Sequence, residues 1–450
     1  MKKKFLVGLF TALAVLCIGG TCMVSAAENQ DDAGVVVEEN EDSSTGYTVS
    51  FTYYNDDAEK VQIKGGFQFY HDGDEKVYAG GYNLEEGDSA DNYYTAPQDW
   101  KQGENLVHVG DEGYVADMTK DEETGAWTYS LDLPGGNYLY VYNVYSDADD
   151  LENYDTVSDP ANLPECNELG ANQVRSEFYV PYLEDKQDTA DDWTWTLPLE
   201  KEEDRGTVEG FTYIGLDGQE MNGEIYLPAG YDANREEPYK VLYLSHGAGG
   251  DEADWFYQGH AANIIDHLIE EGKCEDFVAV TMNNSIYPSP SGSYWIDWDV
   301  QKCTDNIMNY LLPYVESNYN VSKDAHERAF AGLSSGAVVT GNLLAQDPSA
   351  FEYFGLFSCS ATYAWPELDN YDDYKNTNIY LAGGWADMCV DNKENYGSEE
   401  DVMVNSFADK LDECGITYNN GKGVYIVPGS HDWFIWPQIL KEYVSTTLWK

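Results

Sequence analysis

The sequence predicts an α/β domain, with a mostly parallel central sheet and helices on both faces, preceded by an all-β immunoglobulin-like sandwich. Three observations predict it. Short aromatic runs of alternating polarity, broken by Gly, Asp and Pro, fill residues 47–199. From residue 206, apolar strand-like runs alternate with amphipathic stretches. Between the two, the charged run Glu200 to Arg205 reads as a linker. Period-two alternation with frequent turns marks half-buried strands, and strand, helix, strand succession marks a parallel sheet.

Taken in order, residues 1–27 carry Lys2, Lys3 and Lys4, an apolar run from Phe5 to Val24, and then Ser25, Ala26 and Ala27. That order is a signal peptide, so cleavage and secretion are expected. Residues 28–46 are acidic and small and are expected to form a flexible leader. In the sandwich, Tyr47–Tyr53, Val61–Phe67, Trp127–Leu133 and Tyr138–Tyr145 are expected strands. Asp147, Asp149, Asp150 and Glu152 lack the spacing of a calcium loop and read as a solvated turn. In the α/β domain the strands are Val241–Leu244, Phe277–Met282, Ala329–Leu333, Tyr353–Phe357, Asn378–Ala382 and Gly423–Val427. Helices are expected over Ala261–Glu271, Asp305–Tyr319, the segment after Ser335, and Asp401–Cys414.

Composition narrows the function. The chain has 82 acidic against 24 basic side chains, a formal charge of −58. Loss of residues 1–27 removes three Lys and no acid, which moves that charge to −61. Such a surface repels phosphate, so nucleic acid and anionic membrane are excluded as partners. Cys166, Cys274, Cys303, Cys359, Cys389 and Cys414 follow the signal. Outside the cell this even set could pair, and the sequence does not choose the pairing. No Cys-x-x-Cys occurs, and neither a metal nor a cofactor is expected.

The chemistry lies in Gly332-Leu333-Ser334-Ser335-Gly336, between an apolar strand and a helix. This is the setting of a nucleophile elbow, the sharp turn that lifts a Ser hydroxyl above the sheet of an α/β-hydrolase fold. A Ser hydroxyl needs an imidazole to take its proton and an acid to fix the tautomer. His431, the single His after Ser334, follows the last strand and is the expected base. Asp387, after the strand Asn378–Ala382, is the expected acid, with Asp391 as its close competitor. Backbone N–H groups of Ala248 and Ser335 are the expected oxyanion donors. His246, in the same Gly-rich turn, is expected to be structural. Trp255, Tyr257, Tyr294, Trp295 and Trp433 are candidates to stack on an aromatic acyl group or a sugar ring.

Residues 206–450 resemble the feruloyl esterase and acetyl xylan esterase group, the carbohydrate esterases related to esterase D. The resemblance rests on Tyr226-Leu227-Pro228-Ala229-Gly230-Tyr231, His246-Gly247 running into Gly250-Asp251-Glu252 and Asp254-Trp255, Arg328 to Gly336, Asp387, and His431-Asp432-Trp433 with Trp436. The group commonly has Met after the nucleophile and a further Gly after the elbow, where this chain has Ser335 and Ala337. Residues 47–199 resemble the early-set sandwich of the glycogen-binding type, through Gly65-Gly66-Phe67, Gly125-Ala126-Trp127, Leu133 to Tyr138, and Asp159-Pro160 with Asn162. Binding sugar and merely shaping the esterase cleft are equal expectations for that part. These resemblances imply a secreted serine esterase that hydrolyses feruloyl esters of xylan or arabinoxylan through an acyl-enzyme on Ser334. An acetyl xylan esterase, an enterochelin-type siderophore esterase and a non-catalytic carbohydrate-binding protein are the alternatives. Oligomeric state is left open.

Overall fold

The computed structural model describes residues 32–71, 95–107, 114–163, 175–187, 192–288, 298–358, 374, 377–384, 387, 389–390, 404–429 and 431–450. The signal peptide, Cys166, Tyr294, Trp295, Cys359 and Asp391 lie outside the described residues.

Among the described residues the first part has the strands β1 (Gly34–Glu39), β2 (Tyr47–Tyr54), β3 (Lys60–Gly65), β4 (Gln68–His71), β5 (Glu104–Val107), β6 (Tyr114–Asp117), β7 (Thr119–Lys120), β8 (Ala126–Asp132), β9 (Gly136–Tyr145), β10 (Asp155–Val157) and β11 (Ser176–Val180). β1, β2, β8 and β7 make one antiparallel sheet. β10, β9, β3 and β6, with β11 on β9, make another, and β4 pairs with β5. Alternate residues of β2 and β3 are buried, so each strand gives one face to a shared core that includes Phe51, Ile63, Phe67, Tyr140 and Phe178. The Tyr140 and Tyr142 hydroxyls both donate to buried Asp159 Oδ2, at 2.6 and 3.2 Å, so burying these rings leaves their hydroxyls partnered.

One expectation fails here. Residues 34–39, inside the stretch read as a flexible leader, pair along their whole length with β2. Acidic neighbours hide Val35-Val36-Val37, where Val35 and Val37 pack on the core and Val36 faces solvent. Three β-branched residues with one buried face are enough to add an edge strand. The linker also has structure: Glu202–Asp204 is a short 3-10 turn, and Arg205 Nε donates to the Leu199 carbonyl at 2.6 Å.

The second part is an eight-stranded sheet of β12 (Thr207–Ile214), β13 (Glu220–Leu227), β14 (Lys240–Ser245), β15 (Phe277–Met282), β16 (Arg328–Leu333), β17 (Tyr353–Phe357), β18 (Asn378–Gly384) and β19 (Tyr425–Val427). Their spatial order is β12-β13-β15-β14-β16-β17-β18-β19. β12 and β13 form an antiparallel hairpin that joins β15 antiparallel, and the remaining pairings are parallel. Successive residues of β14 enter opposite cores: Val241 and Tyr243 one, Leu242 and Leu244 the other. Both faces are therefore covered, as a parallel sheet requires.

The helices are α1 (Asp254–Tyr257), α2 (Ala261–Glu270), α3 (Val300–Asn306), α4 (Leu312–Asn318), α5 (Ser335–Gln346), α6 (Val404–Cys414) and α7 (Trp436–Thr446). α2 and α7 share a core on one face of the sheet, and α3 to α6 share a core on the other. The helix expected over Asp305–Tyr319 begins earlier, because Asp299 accepts the Lys302 N–H at 3.1 Å and caps α3. It is interrupted at Ile307–Leu311 by a π-helical turn before Pro313 enters α4. Among the described residues no helix is long and apolar enough to cross a membrane.

Candidate active site

β16 ends at Leu333 and α5 begins at Ser335, so a single residue makes the turn. That residue, Ser334, has φ 51° and ψ −120°. A non-Gly residue there costs about 1–3 kcal/mol and persists only where packing enforces it. The enforcement is visible at both flanking glycines. A Cβ on Gly336 would lie 2.4 Å from the His246 carbonyl oxygen, and one on Gly332 would lie 2.3 Å from the Gly336 carbonyl oxygen. Only Gly fits at either position. Ser334 N–H donates to the Phe357 carbonyl at 3.0 Å, and its hydroxyl does not cap α5.

That hydroxyl meets His431 instead, with Oγ 2.9 Å from Nε2. On the other side of the ring, Nδ1 is 2.9 Å from Asp387 Oδ1. The Asp387 side chain is fully buried, and its Oδ1 also accepts the Cys389 N–H at 2.8 Å. A carboxylate can only accept here, so the ring proton sits on Nδ1 and the Nε2 lone pair faces the Ser334 hydroxyl. The structure thus brings together the three residues that the chain order singled out, each from a loop at the same edge of the sheet.

The Gly-rich turn after β14 lies beside the elbow, because Ser245 is in register with Gly332. A Cβ on Gly247 would stand 3.3 Å from Ser334 Cβ. Ser335, as the first residue of α5, has an N–H with no partner inside the helix. His246 fixes the turn. Its Nδ1–H donates to the Gly247 carbonyl at 2.7 Å and its Nε2 accepts the Asn284 N–H at 3.1 Å. Both nitrogens are committed, and burial pushes its pKa down to about 4, so this imidazole stays neutral.

Two of the aromatic candidates, Trp255 and Trp433, are corrected. Trp255 has no exposed surface, and its Nε1–H donates to the Ser245 carbonyl at 3.0 Å. Trp433 is 8% exposed and stands edge-on to Trp255, with ring centres 5.3 Å apart. Rings this deep cannot stack on a ligand. They are core residues that support the site from below, and Tyr257 is half-buried against the same core. Trp436 extends this support, edge-on to His431 at 5.2 Å while its Nε1–H donates to Ser358 Oγ at 2.7 Å.

A second group of acids was not expected from sequence. Glu224 on β13 and Asp251, Glu252 and Asp254 after the Gly-rich turn are close enough to repel one another. Burial, and then the neighbouring carboxylates, push Glu224 and Asp254 up to about 7. Asp251 rises to about 6, again chiefly through burial, against the pull of the Ala253 N–H. Glu224 Oε2 and Asp251 Oδ2 are buried without a hydrogen-bond partner among the described residues. In so acidic a chain a single carboxylate carries no signal, and Glu224 is remote in sequence from its neighbours.

An endo-1,4-beta-xylanase/feruloyl esterase of Xylanibacter ruminicola is 25% identical over 345 residues, which is 76% of this chain and 42% of that protein. An uncharacterised Corynebacterium glutamicum protein is 22% identical over 46% of this chain and 45% of its own length. The chain thus spans less than half the length of these curated relatives. Among solved structures, the enterobactin esterase of Shigella flexneri matches 92% of this chain and 96% of its own at 13% identity, with a TM-score of 0.53. A ferulic acid esterase from Anaeromyces mucronatus covers 57% of this chain and 95% of its own at 18% identity, TM-score 0.45. The Esterase family profile matches residues 216–446, which contain the elbow, Asp387 and His431. By that match the chain belongs to the Esterase family.

Proposed function

We propose that this chain is a secreted feruloyl esterase acting on xylan or arabinoxylan, with Ser334, His431 and Asp387 as its catalytic triad. The observation that carries the reading is the relay of two 2.9 Å contacts running from Ser334 Oγ through His431 to Asp387. As Ser334 Oγ attacks the ester carbonyl, its proton passes to His431 Nε2. Asp387 holds the resulting imidazolium. The tetrahedral oxyanion is taken by the N–H groups of Ala248 and Ser335, the latter at the positive end of the twelve-residue α5. Collapse expels the sugar alkoxide, which leaves with the proton from His431 and deposits the acyl group on Ser334. Water, deprotonated by the same imidazole, then releases the acid and restores the hydroxyl.

Similarity to the Xylanibacter ruminicola endo-1,4-beta-xylanase/feruloyl esterase supports the feruloyl acyl group and a xylan backbone. An uncharged arabinoxylan also suits a chain of formal charge −58 better than a pectin, which like charge would repel. The first part fits a carbohydrate-binding or cleft-shaping role beside such a substrate. A second reading, a siderophore esterase, is favoured by the two-part layout shared with the Shigella flexneri enterobactin esterase over 92% of this chain.

The test is product release from feruloylated arabinoxylan, a small feruloyl ester, an acetylated xylan and a cyclic catecholate triester. Ferulate release should dominate and fall by at least about 10³-fold in Ser334→Ala, while binding to arabinoxylan persists. Preference for acetate or for the catecholate would replace the acyl assignment. Activity surviving in Ser334→Ala would remove the triad.

A further inference from the structure

We propose that Asp387, Cys389 and His431 form a site for a thiophilic divalent cation, with Zn²⁺ as the probe, and that its occupancy switches the esterase off. The switching rests on the reading of His431 as the base. Cys389 follows Asp387 by two residues, and its N–H donates to Asp387 Oδ1 at 2.8 Å, closing a tight turn between them. Cys389 Sγ, a carboxylate oxygen of Asp387 and a ring nitrogen of His431 all lie within 4.8 Å of one another. The second Asp387 oxygen, Oδ2, is buried and has no hydrogen-bond partner among the described residues, while the residue as a whole is 4% exposed.

Zinc bonds of about 2.0–2.3 Å to N, O and S place tetrahedral ligands roughly 3.5 Å apart, so modest side-chain rotation closes the set. One thiolate, one imidazole and one carboxylate favour a borderline-soft ion over Mg²⁺ or Ca²⁺, which take oxygen cages. Cys389 and His431 are half-buried rather than sealed, which leaves an approach, and the acidic chain draws cations toward it.

Binding and catalysis exclude each other. The thiol gives its proton to solvent as Sγ joins the ion. If Nδ1 also joins, its proton moves to Nε2, which can then no longer accept from Ser334. If Nε2 joins, its lone pair is consumed directly. Either way the Ser334 hydroxyl loses its acceptor. No bond is oxidised or reduced, and a chelator reverses the step.

The experiment titrates ZnCl₂ into the full chain in chelator-free buffer during hydrolysis of a small aryl ester. Each variant is normalised to its own metal-free rate. The wild type should be inhibited at micromolar Zn²⁺ and recover with EDTA, and Mg²⁺ at the same concentration should do nothing. Cys389→Ser and Cys389→Ala should raise the half-inhibiting Zn²⁺ concentration by more than about tenfold. Independently of activity, Co²⁺ added to the wild type should give a thiolate-to-cobalt charge-transfer band that both variants lack. That band stands or falls apart from the triad reading. Equal Zn²⁺ sensitivity in wild type and variants, or a Co²⁺ spectrum without the band, overturns the proposal.

Discussion

One buried acid and one buried group of acids lie at the catalytic edge, and they are solved in opposite ways. Under His431, Asp387 is given donors: an imidazole N–H and the Cys389 N–H both reach Oδ1. Behind the Gly-rich turn, Glu224, Asp251 and Asp254 are given mainly one another, and burial with mutual repulsion pushes all three upward. A buried acid keeps its charge where donors replace water and holds a proton where they do not. In this molecule the hydrogen-bond donors are placed where a proton must be steered, and the carboxyls raised by burial and by one another lie where a turn is packed.

The sharpest break of that contrast is Asp387→Asn. The amide leaves the packing intact but offers an N–H where the ring needs an acceptor, which favours the wrong imidazole tautomer. We expect kcat to fall by about 10⁴-fold with little change in thermal stability, measured by steady-state kinetics beside a melting curve. An Asn variant with near wild-type kcat would show that Asp387 is structural.

The carboxyl pocket makes a prediction of opposite character, in stability rather than rate. Its folded pKa values, about 6 for Asp251 and about 7 for Asp254 and Glu224, lie above their ordinary values of 3.8, 3.8 and 4.5. The folded state therefore binds more protons than the unfolded one across this interval. The pocket's contribution is full below about pH 4 and is lost as pH rises through 6 to 7. Melting temperature from this source should decline across that window, and Glu224→Gln should flatten the decline. An unchanged slope in Glu224→Gln would mean that the pocket does not govern it.

A smaller effect is expected where the two parts of the chain meet. His260 Nε2 is 2.7 Å from Glu177 Oε1 and 3.2 Å from Asn137 Nδ2. Because these side chains are partly exposed, Glu177→Gln should cost no more than about 1 kcal/mol by urea unfolding. A larger loss would make the contact a principal tie between the parts.

The relay was legible because chain order and scarcity constrain it. Few sequences place a strand, a Gly-bracketed Ser and a helix in succession, and a single His follows Ser334. The central strands were legible too, since Phe277–Met282 and Tyr353–Phe357 are short apolar runs flanked by polar residues. β1 was missed because acidic flanks diluted three valines. Trp255 and Trp433 were misjudged because an aromatic beside a catalytic motif reads the same whether it faces ligand or core. Only burial tells them apart. The carboxyl pocket was illegible because Glu224 reaches the acids after β14 only across β15, where Thr281 pairs with Glu224 and its hydroxyl donates to the Glu252 carbonyl, contacts between residues distant in sequence.

The seam has one more consequence. Phe434, three residues past His431, lies against Trp193 with ring centres 4.9 Å apart. Nearby, Asn263 and His267 of α2 reach the carbonyls of Thr196 and Leu197 at 2.7 and 3.0 Å, and Lys441 Nζ sits 4.5 Å above the Trp195 ring. The segment just ahead of the hydrolase sheet is thus its outer wall. A shortened enzyme cut at residue 206 would present an unroofed aromatic face beside its own base. The useful dissection point for engineering lies upstream of Trp193, so that this wall travels with the esterase.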